Sequence, residues 1–394
     1  MFVLKMIGCR LCQGAFRLAT PFLPYREPII IDSCEDIEKI LQKEKISTVL
    51  IVTRRLPNSI KDSLNQSKIN YLIYDKTRPN PTVENVEEGV RIYNENHCNA
   101  IIAIGGGSPI DCAKAIGARV VYPNKSVSQL GGVLRILKRI PTLVAVPTTA
   151  GTGSEVTLAA VISEPSSYKK YALMSFPLIP HYAILDARLT YSLPPHLTAT
   201  TGMDALTHAV EAYIGRSTTK KSRALALRAT QMIFESLEGA YLDGNNHTAR
   251  EQMLKASYNA GVAFSISYVG YVHAIAHSLG GRYDIPHGLA NAVILPYVLE
   301  AYGSSAYKKL HTLGIAAGVS DKSDTHEVGA RRFIQAIKDL NAKMGIPNYI
   351  EEIKAEDIKS LARHAEREAN PLYPVPSLMD RDELERLYYK FLEK

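Results

Sequence analysis

Between residues 45 and 150 short apolar, β-branched runs alternate with longer polar stretches. Residues 48–53 (TVLIVT), 69–74 (INYLIY), 99–104 (NAIIAI) and 142–146 (TLVAV) read as buried strands. Between the second and third, residues 83–96 carry helical spacing. Strands alternating with helices predict βαβ units and a parallel sheet. Ligands on such sheets bind beyond the carboxyl ends of the strands, so the segments after Thr53, Tyr74, Ile104 and Val146 are the places to look for one. After Leu193-Pro194-Pro195 the pattern changes to Ala, Leu, Lys and Glu at helical spacing, with long stretches at 222–239 and 249–264 and no strand-like run. The expectation is an α/β domain over 1–193 and an all-helical domain over 194–394, and a length of 394 residues agrees with two cores.

Composition narrows the class. No apolar run approaches the roughly 20 residues that span a bilayer. Lys5, Arg10 and Arg17 interrupt the apolar N-terminal segment, so it lacks a signal-peptide core and reads as part of a folded, cytoplasmic protein. The formal charge of +7 comes from dispersed basic residues, which suits a solvated surface and an anionic cofactor rather than a nucleic-acid footprint. Five scattered cysteines argue for a reducing compartment. Cys9 and Cys12 form a lone C-x-x-C pair, which read as ordinary thiols. His97, His181, His247 and His326 lie in polar surroundings and read as surface residues.

Two loops carry candidate cofactor chemistry. The strand ending at Ile104 runs into Gly105-Gly106-Gly107-Ser108-Pro109-Ile110-Asp111. Glycines let backbone approach a ligand closely. Ser108 suits an N-cap, Pro109 the first helical position and Asp111 a capping-box acid. A helix opening there directs free N–H groups at a phosphate. Asp111 reads equally as a helix cap or a cofactor contact. The second loop, Pro147-Thr148-Thr149-Ala150-Gly151-Thr152-Gly153-Ser154-Glu155, follows the strand ending at Val146 and is dense in hydroxyls. Two such loops on one sheet favour a nucleotide cofactor over a plain turn.

The helical half carries a second kind of chemistry. Asp204 and His208 are four residues apart and share a helix face. His273 and His277 are likewise four apart, and His287 follows in Pro286-His287-Gly288. One carboxylate with imidazoles in an apolar setting suits a divalent transition ion such as iron or zinc. Spacing leaves open whether His277 is a ligand or a nearby base.

GGGSPIDCAK, PTTAGTGSE, TGMDALTHAVEAY, GYVHAIAHSLGG and IPHG, in that order, resemble the motifs of the iron-containing alcohol dehydrogenase family over roughly residues 45 to 375. That family includes lactaldehyde reductases, propanediol dehydrogenases and butanol dehydrogenases. The resemblance implies a Rossmann-like dinucleotide-binding α/β domain and a C-terminal helical metal domain, the architecture also found in dehydroquinate synthase-like enzymes. It assigns Asp204, His208, His273 and His287 to Fe2+, with Zn2+ also accepted by such a set, and leaves His277 near the nicotinamide as a proton relay or substrate contact. It assigns Gly106, Gly107, Ser108, Asp111, Thr148, Thr149 and Thr152 to the cofactor, with Asn80 and Lys170 as further cofactor positions. Asn370-Pro371 matches a structural family motif. The implied activity is hydride transfer between NADP(H) or NAD(H) and a small primary alcohol, diol or aldehyde. The implied assembly is a homodimer, with no nucleic-acid or membrane partner.

Three departures matter. The N-terminal segment does not match the family start. Ile266 and Tyr268 replace small or amide residues before Gly270. Arg54 follows Thr53 where NAD-using members often carry an acid that binds ribose hydroxyls; an arginine there can pair with a 2′-phosphate instead, predicting a preference for NADP(H). Two rival readings use the same parts: a glycerol dehydrogenase-like polyol oxidoreductase, and a catalytically silent nucleotide- or metal-binding protein.

Overall fold

The structure is a computed structural model that describes residues 2–67, 69–164 and 169–392. The chain divides into two compact units, Pro24–Leu193 and the combination of Met1–Leu23 with Pro194–Lys394. The first 23 residues thus belong with the helices, not with the α/β half that the expected span 1–193 gave them. Helix α1 (Phe2–Ala19) is held there by a distant loop: Arg10 donates to the Val375 and Pro376 carbonyls at 2.9 and 3.0 Å, and Gln13 to the Tyr373 carbonyl at 2.7 Å. Such pairing across more than 350 residues leaves no trace in a local pattern.

The α/β unit runs β1 (Ile29–Ile31), α2 (Ile37–Lys43), β2 (Thr48–Val52), α3 (Asn58–Ser67), β3 (Asn70–Tyr74), α4 (Val83–Glu95), β4 (Ala100–Gly105), α5 (Gly107–Val121), α6 (Val127–Leu130), β5 (Gly132–Val133), β6 (Thr142–Pro147), β7 (Ala159–Glu164), β8 (Lys169–Met174) and β9 (Tyr182–Ile184). Six strands form a parallel sheet in the order β1-β9-β6-β4-β2-β3; the four apolar runs supply β2, β3, β4 and β6, while the edge strand β1 and the inner strand β9 lay outside them. Ile102 on β4 pairs with Ile51 on β2 and with Val144 on β6. Successive residues point to opposite faces. Leu50, Val52, Ile101 and Ala103 therefore enter one core, with Ile116 of α5, while Val49, Ile51, Ile102 and Ile104 enter another, with Ile60 of α3. Burial on both faces explains the unbroken apolar runs. A second sheet, β5-β8-β7, includes the antiparallel pair β7–β8. The sequence pattern did not predict it, since its strands mix polar and apolar positions.

The helical unit adds α7 (Pro195–Ile214), α8 (Lys220–Leu242), α9 (His247–Ser267), α10 (Tyr271–Tyr283), α11 (His287–Tyr302), α12 (Tyr307–Ala316), α13 (His326–Lys343), α14 (Ile358–Ala369) and α15 (Arg381–Tyr388). Proline at the first position starts α7. Thr219 and Ser222 form a capping box that starts α8. Every residue of α7 from Gly202 to Ile214 is buried. The polar residues in that stretch must therefore find partners inside the protein. Among the described residues, no single helix is long and apolar enough to cross a membrane.

Candidate metal centre and nucleotide loops

Helix α7 places Asp204, His208 and Glu211 on one face at positions i, i+4 and i+7. Helix α10 brings His273 against them, and α11 begins with His287. One ligand atom from each of Asp204, His208, His273 and His287 lies within 4.8 Å of the others. The His208 and His273 rings stack with centroids 4.5 Å apart, and His277 stacks on His287 at 5.2 Å. His277 sits beside the cluster but outside the set of four.

Two residues that sequence reasoning passed over organise this cluster. Glu211 accepts the backbone N–H groups of Gly270 and Val272, both at 2.8 Å, and its other bond is to His273 Nδ1 at 2.6 Å. A carboxylate accepts, so Nδ1 carries the proton and His273 Nε2 presents its lone pair to the cluster. Burial pushes the Glu211 carboxyl up to about 7, against the pull of its backbone donors. Burial, with His208, His287 and His277 nearby, holds His273 well below the usual imidazole range, so it stays neutral. The close approach of α10 explains Gly270: a Cβ there would stand 2.6 Å from Glu211 Oε1. The second organiser is Asn291, one turn after His287. Its Nδ2 lies 2.6 Å from Asp204 Oδ1, 3.1 Å from His287 Nε2 and 3.4 Å from His273 Nε2. Three acceptors thus converge on a weakly positive amide, the arrangement a cation-binding donor set produces. The signals for both residues were present: Glu211 is one turn beyond His208, and Asn291 is at i+4 from His287. What they lacked was a reason to prefer them over other polar residues.

His277 has its own carboxylate. Its Nδ1 is 2.6 Å from Glu368 Oε1 on α14, and the Tyr373 hydroxyl donates to the same oxygen at 2.7 Å. Burial works against ionisation of Glu368, but His277 and Tyr373 together hold its carboxyl below the ordinary value. Tyr268, one of the departures, caps α9 at φ +65° and contacts Phe16 of α1 and Tyr373, with ring centroids 5.2 and 5.9 Å apart.

In the α/β unit the two loops adjoin. β4 and β6 are paired through Gly105 and Pro147, and the Thr148 N–H donates to the Gly105 carbonyl at 2.9 Å. A Cβ on Gly107 would stand 3.1 Å from Thr152 Cγ2, a tight contact that would press on the second loop. Helix α5 starts at Gly107 with Gly106 as its N-cap and no side-chain cap. The cap therefore falls earlier than Ser108, because Gly106 already has the extended dihedrals of a cap. Asp111 does not cap the helix either. Its oxygens accept from the Ser154 hydroxyl and, at 3.0 Å, from the Val161 N–H, tying α5 to the second loop and to β7.

Behind the loops Lys114 is fully buried, donating at 2.8 Å to Thr157 O, Thr157 Oγ1 and Ala159 O. Burial pulls Lys114 down to about 8 while Asp111 and Glu155 pull the other way. Burial lifts the Glu155 carboxyl to about 7, and its Oε1 has no hydrogen-bond partner among the described residues. Arg54 is exposed just past β2, in no ion pair among the described residues. Asn80 is exposed at φ +57°, and Lys170 is an exposed residue of β8 opposite Ser163. His181 is a correction to the surface reading: it is partly buried, its Nδ1 accepts the Leu143 N–H at 3.1 Å, and burial lowers it to about 4.

Residues 29–187 match the iron-containing alcohol dehydrogenase model, and residues 198–392 match the C-terminal model of the Fe-containing alcohol dehydrogenase family. Alcohol dehydrogenase 4 of Saccharomyces cerevisiae is 40% identical over 80% of this chain and 81% of its own. The 1,3-propanediol dehydrogenase of Citrobacter freundii is 38% identical over 82% of this chain and 85% of its own. A crystal structure of a 1,3-propanediol oxidoreductase superposes with a TM-score of 0.89 at 33% identity, covering 93% of this chain and 98% of the other.

Proposed function

The chain belongs to the iron-containing alcohol dehydrogenase family, and from that premise we propose that it is a cytoplasmic, homodimeric enzyme that interconverts a small primary alcohol or diol and its aldehyde with a nicotinamide cofactor. The observation that carries this reading is the convergence of Asp204, His208, His273 and His287, braced by Glu211 and Asn291. A carboxylate and three imidazoles fit a divalent ion, Fe2+ first and Zn2+ as the alternative. When bound, that ion supplies Lewis acidity to the substrate oxygen.

The chain's own residues supply placement and proton handling. Asp204 provides the negative charge of the donor set. Glu211 fixes the ring of His273, and Asn291 keeps Asp204 and His287 aligned. His277, oriented through Nδ1 by Glu368, would exchange a proton with the substrate oxygen, and a bound nicotinamide cofactor would supply or accept the hydride. In the α/β unit, the uncapped start of α5 at Gly106, Gly107 and Ser108 meets the pyrophosphate, and Thr148, Thr149 and Thr152 meet the cofactor's polar groups. Asp111 serves this site by holding α5 to the second loop. Asn80 and Lys170 are further cofactor contacts. Arg54 pairs with a 2′-phosphate, giving a preference for NADP(H).

The test is absorbance at 340 nm with anaerobically iron-loaded protein and a panel of small aldehydes. Turnover that is faster with NADPH than with NADH and abolished by chelator is expected. Faster turnover with NADH discards the Arg54 reading alone. No oxidation of either cofactor by metal-loaded protein refutes the assignment and leaves the silent binder.

A further inference from the structure

The helical unit holds a second polar feature away from the metal ligands. A cavity of about 410 Å³ is lined by Arg17, Arg216, Thr218, Arg223 and Lys309. These come from the last turn of α1, the segment after α7, the first turn of α8 and the first turn of α12. Four cations face one space, and none of them is in an ion pair among the described residues. Their hydrogen bonds run to neutral groups. Lys309 donates to the Ile214 carbonyl at 2.9 Å and to that of Gly215, at the end of α7, and Arg223 donates to Thr218 Oγ1 at 2.9 Å. The α7 C-terminus offsets about half a charge, leaving most of the four uncompensated. Lys309 is lowered to about 8 by burial and then by Arg223, Arg216 and Arg17, with no carboxylate acting on it in return.

We propose that this cavity binds a small anion carrying a phosphate group. Guanidinium forks match phosphate oxygens with paired hydrogen bonds, and a lysine adds a point charge. Thr218 adds a hydroxyl to the same wall. The volume equals on the order of a dozen waters at ~30 Å³ each, room for a phosphate and a short organic remainder. Ligand bound there joins α1 to the ends of α7, α8 and α12.

The test is a thermal-shift and calorimetric titration of the metal-loaded protein with inorganic phosphate, glycerol 3-phosphate and succinate, at ionic strength fixed with KCl and with metal content checked afterwards. The control is the double variant Arg216→Gln/Arg223→Gln, which leaves both glycine loops and the metal ligands intact. A saturable rise in melting temperature with either phosphate, with affinity weakened about tenfold or more in the variant, is expected. Inorganic phosphate binding as well as the ester means the free ion suffices; binding of the ester alone means an organic phosphate. Without ligand, the variant should melt no lower than the parent, since it loses repulsion. Equal shifts in parent and variant, no shift with either phosphate, or binding of succinate alone overturns the proposal. If the double variant does not fold, Arg17→Gln, at an exposed position, gives the same comparison with one charge removed.

Discussion

Two clusters of buried charge stand in the two halves of this chain, and they are compensated differently. Behind the glycine loops, Asp111 and Glu155 surround Lys114, a cation supplied by the chain itself. In the helical unit, burial keeps His273 neutral, Glu211 is bonded to it and to two backbone N–H groups, and what meets Asp204, His273 and His287 is the amide of Asn291. The first cluster contains its own cation, and Asp111 within it ties α5 to the second loop. The second assembles donors without a full positive charge, and on the proposed reading it would be completed by an ion from outside. A buried charge set that contains its own counter-ion reads as scaffold; one that lacks it reads as a site.

The strongest test of this contrast is His273→Ala. Loss of one donor should release the metal and lower kcat/KM on the order of 10³-fold or more, since a Lewis acid is worth several kcal/mol and each decade is about 1.4 kcal/mol. Metal analysis alongside steady-state kinetics checks it, and retained activity in metal-stripped protein would refute the donor set. Lys114→Met attacks the other cluster. It strands two buried carboxylates and should destabilise the protein by about 3–5 kcal/mol in urea unfolding, without changing the metal bound per folded molecule.

Glu368→Leu should lower kcat by roughly ten- to a hundredfold with little change in substrate KM, because His277 loses its orientation while the metal ligands stay; Glu368→Gln, whose carbonyl still accepts, should recover part of the loss. A loss of bound metal in Glu368→Leu would show that Glu368 serves the ligands instead. Arg54→Asp should raise the NADPH Michaelis constant by about one to two decades, the worth of a charge-assisted hydrogen bond, and leave NADH unaffected or improved. An unchanged NADPH constant means Arg54 points to solvent.

The smallest effect is a pH slope. Glu155 titrates at about 7 in the folded protein, against 4.5 as the ordinary value. Between those values the folded state binds more protons than the unfolded one, so stability falls as pH rises through the window, by at most about 1.4 kcal/mol per unit. Glu155→Gln should flatten that slope in urea titrations from pH 4.5 to 7.5. An unaltered slope would place the buried proton elsewhere.

β2, β4 and β6 were legible because strands buried on both faces need unbroken apolar runs, whereas the three-residue inner strand β9 was not, and the candidate metal site was legible because two i, i+4 pairs of polar residues cannot easily hide in apolar helices. The sheet β5-β8-β7 was not, since mixed polar strands look like loop. Asp111 shows the limit at the site: its position after a glycine loop fits a cap or a cofactor contact, and only the structure revealed that it also ties α5 to Ser154 and Val161. Glu211 and Asn291 were in view but indistinguishable from other polar residues until the ligand atoms had positions.

Periodicity and residue type by themselves pointed to an α/β half followed by a helical half, to a carboxylate-and-histidine cluster whose exact donor set spacing left open, and to a nucleotide-like pair of loops, because all of these depend on neighbours within a few turns or on chemistry a side chain carries anywhere. Tertiary structure alone decided that α1 joins the C-terminal unit, that Glu368 faces His277, and that Arg17, Arg216, Arg223 and Lys309 share one cavity. Those relations join residues tens to hundreds of positions apart. Packing sets such distances, and no local pattern encodes them.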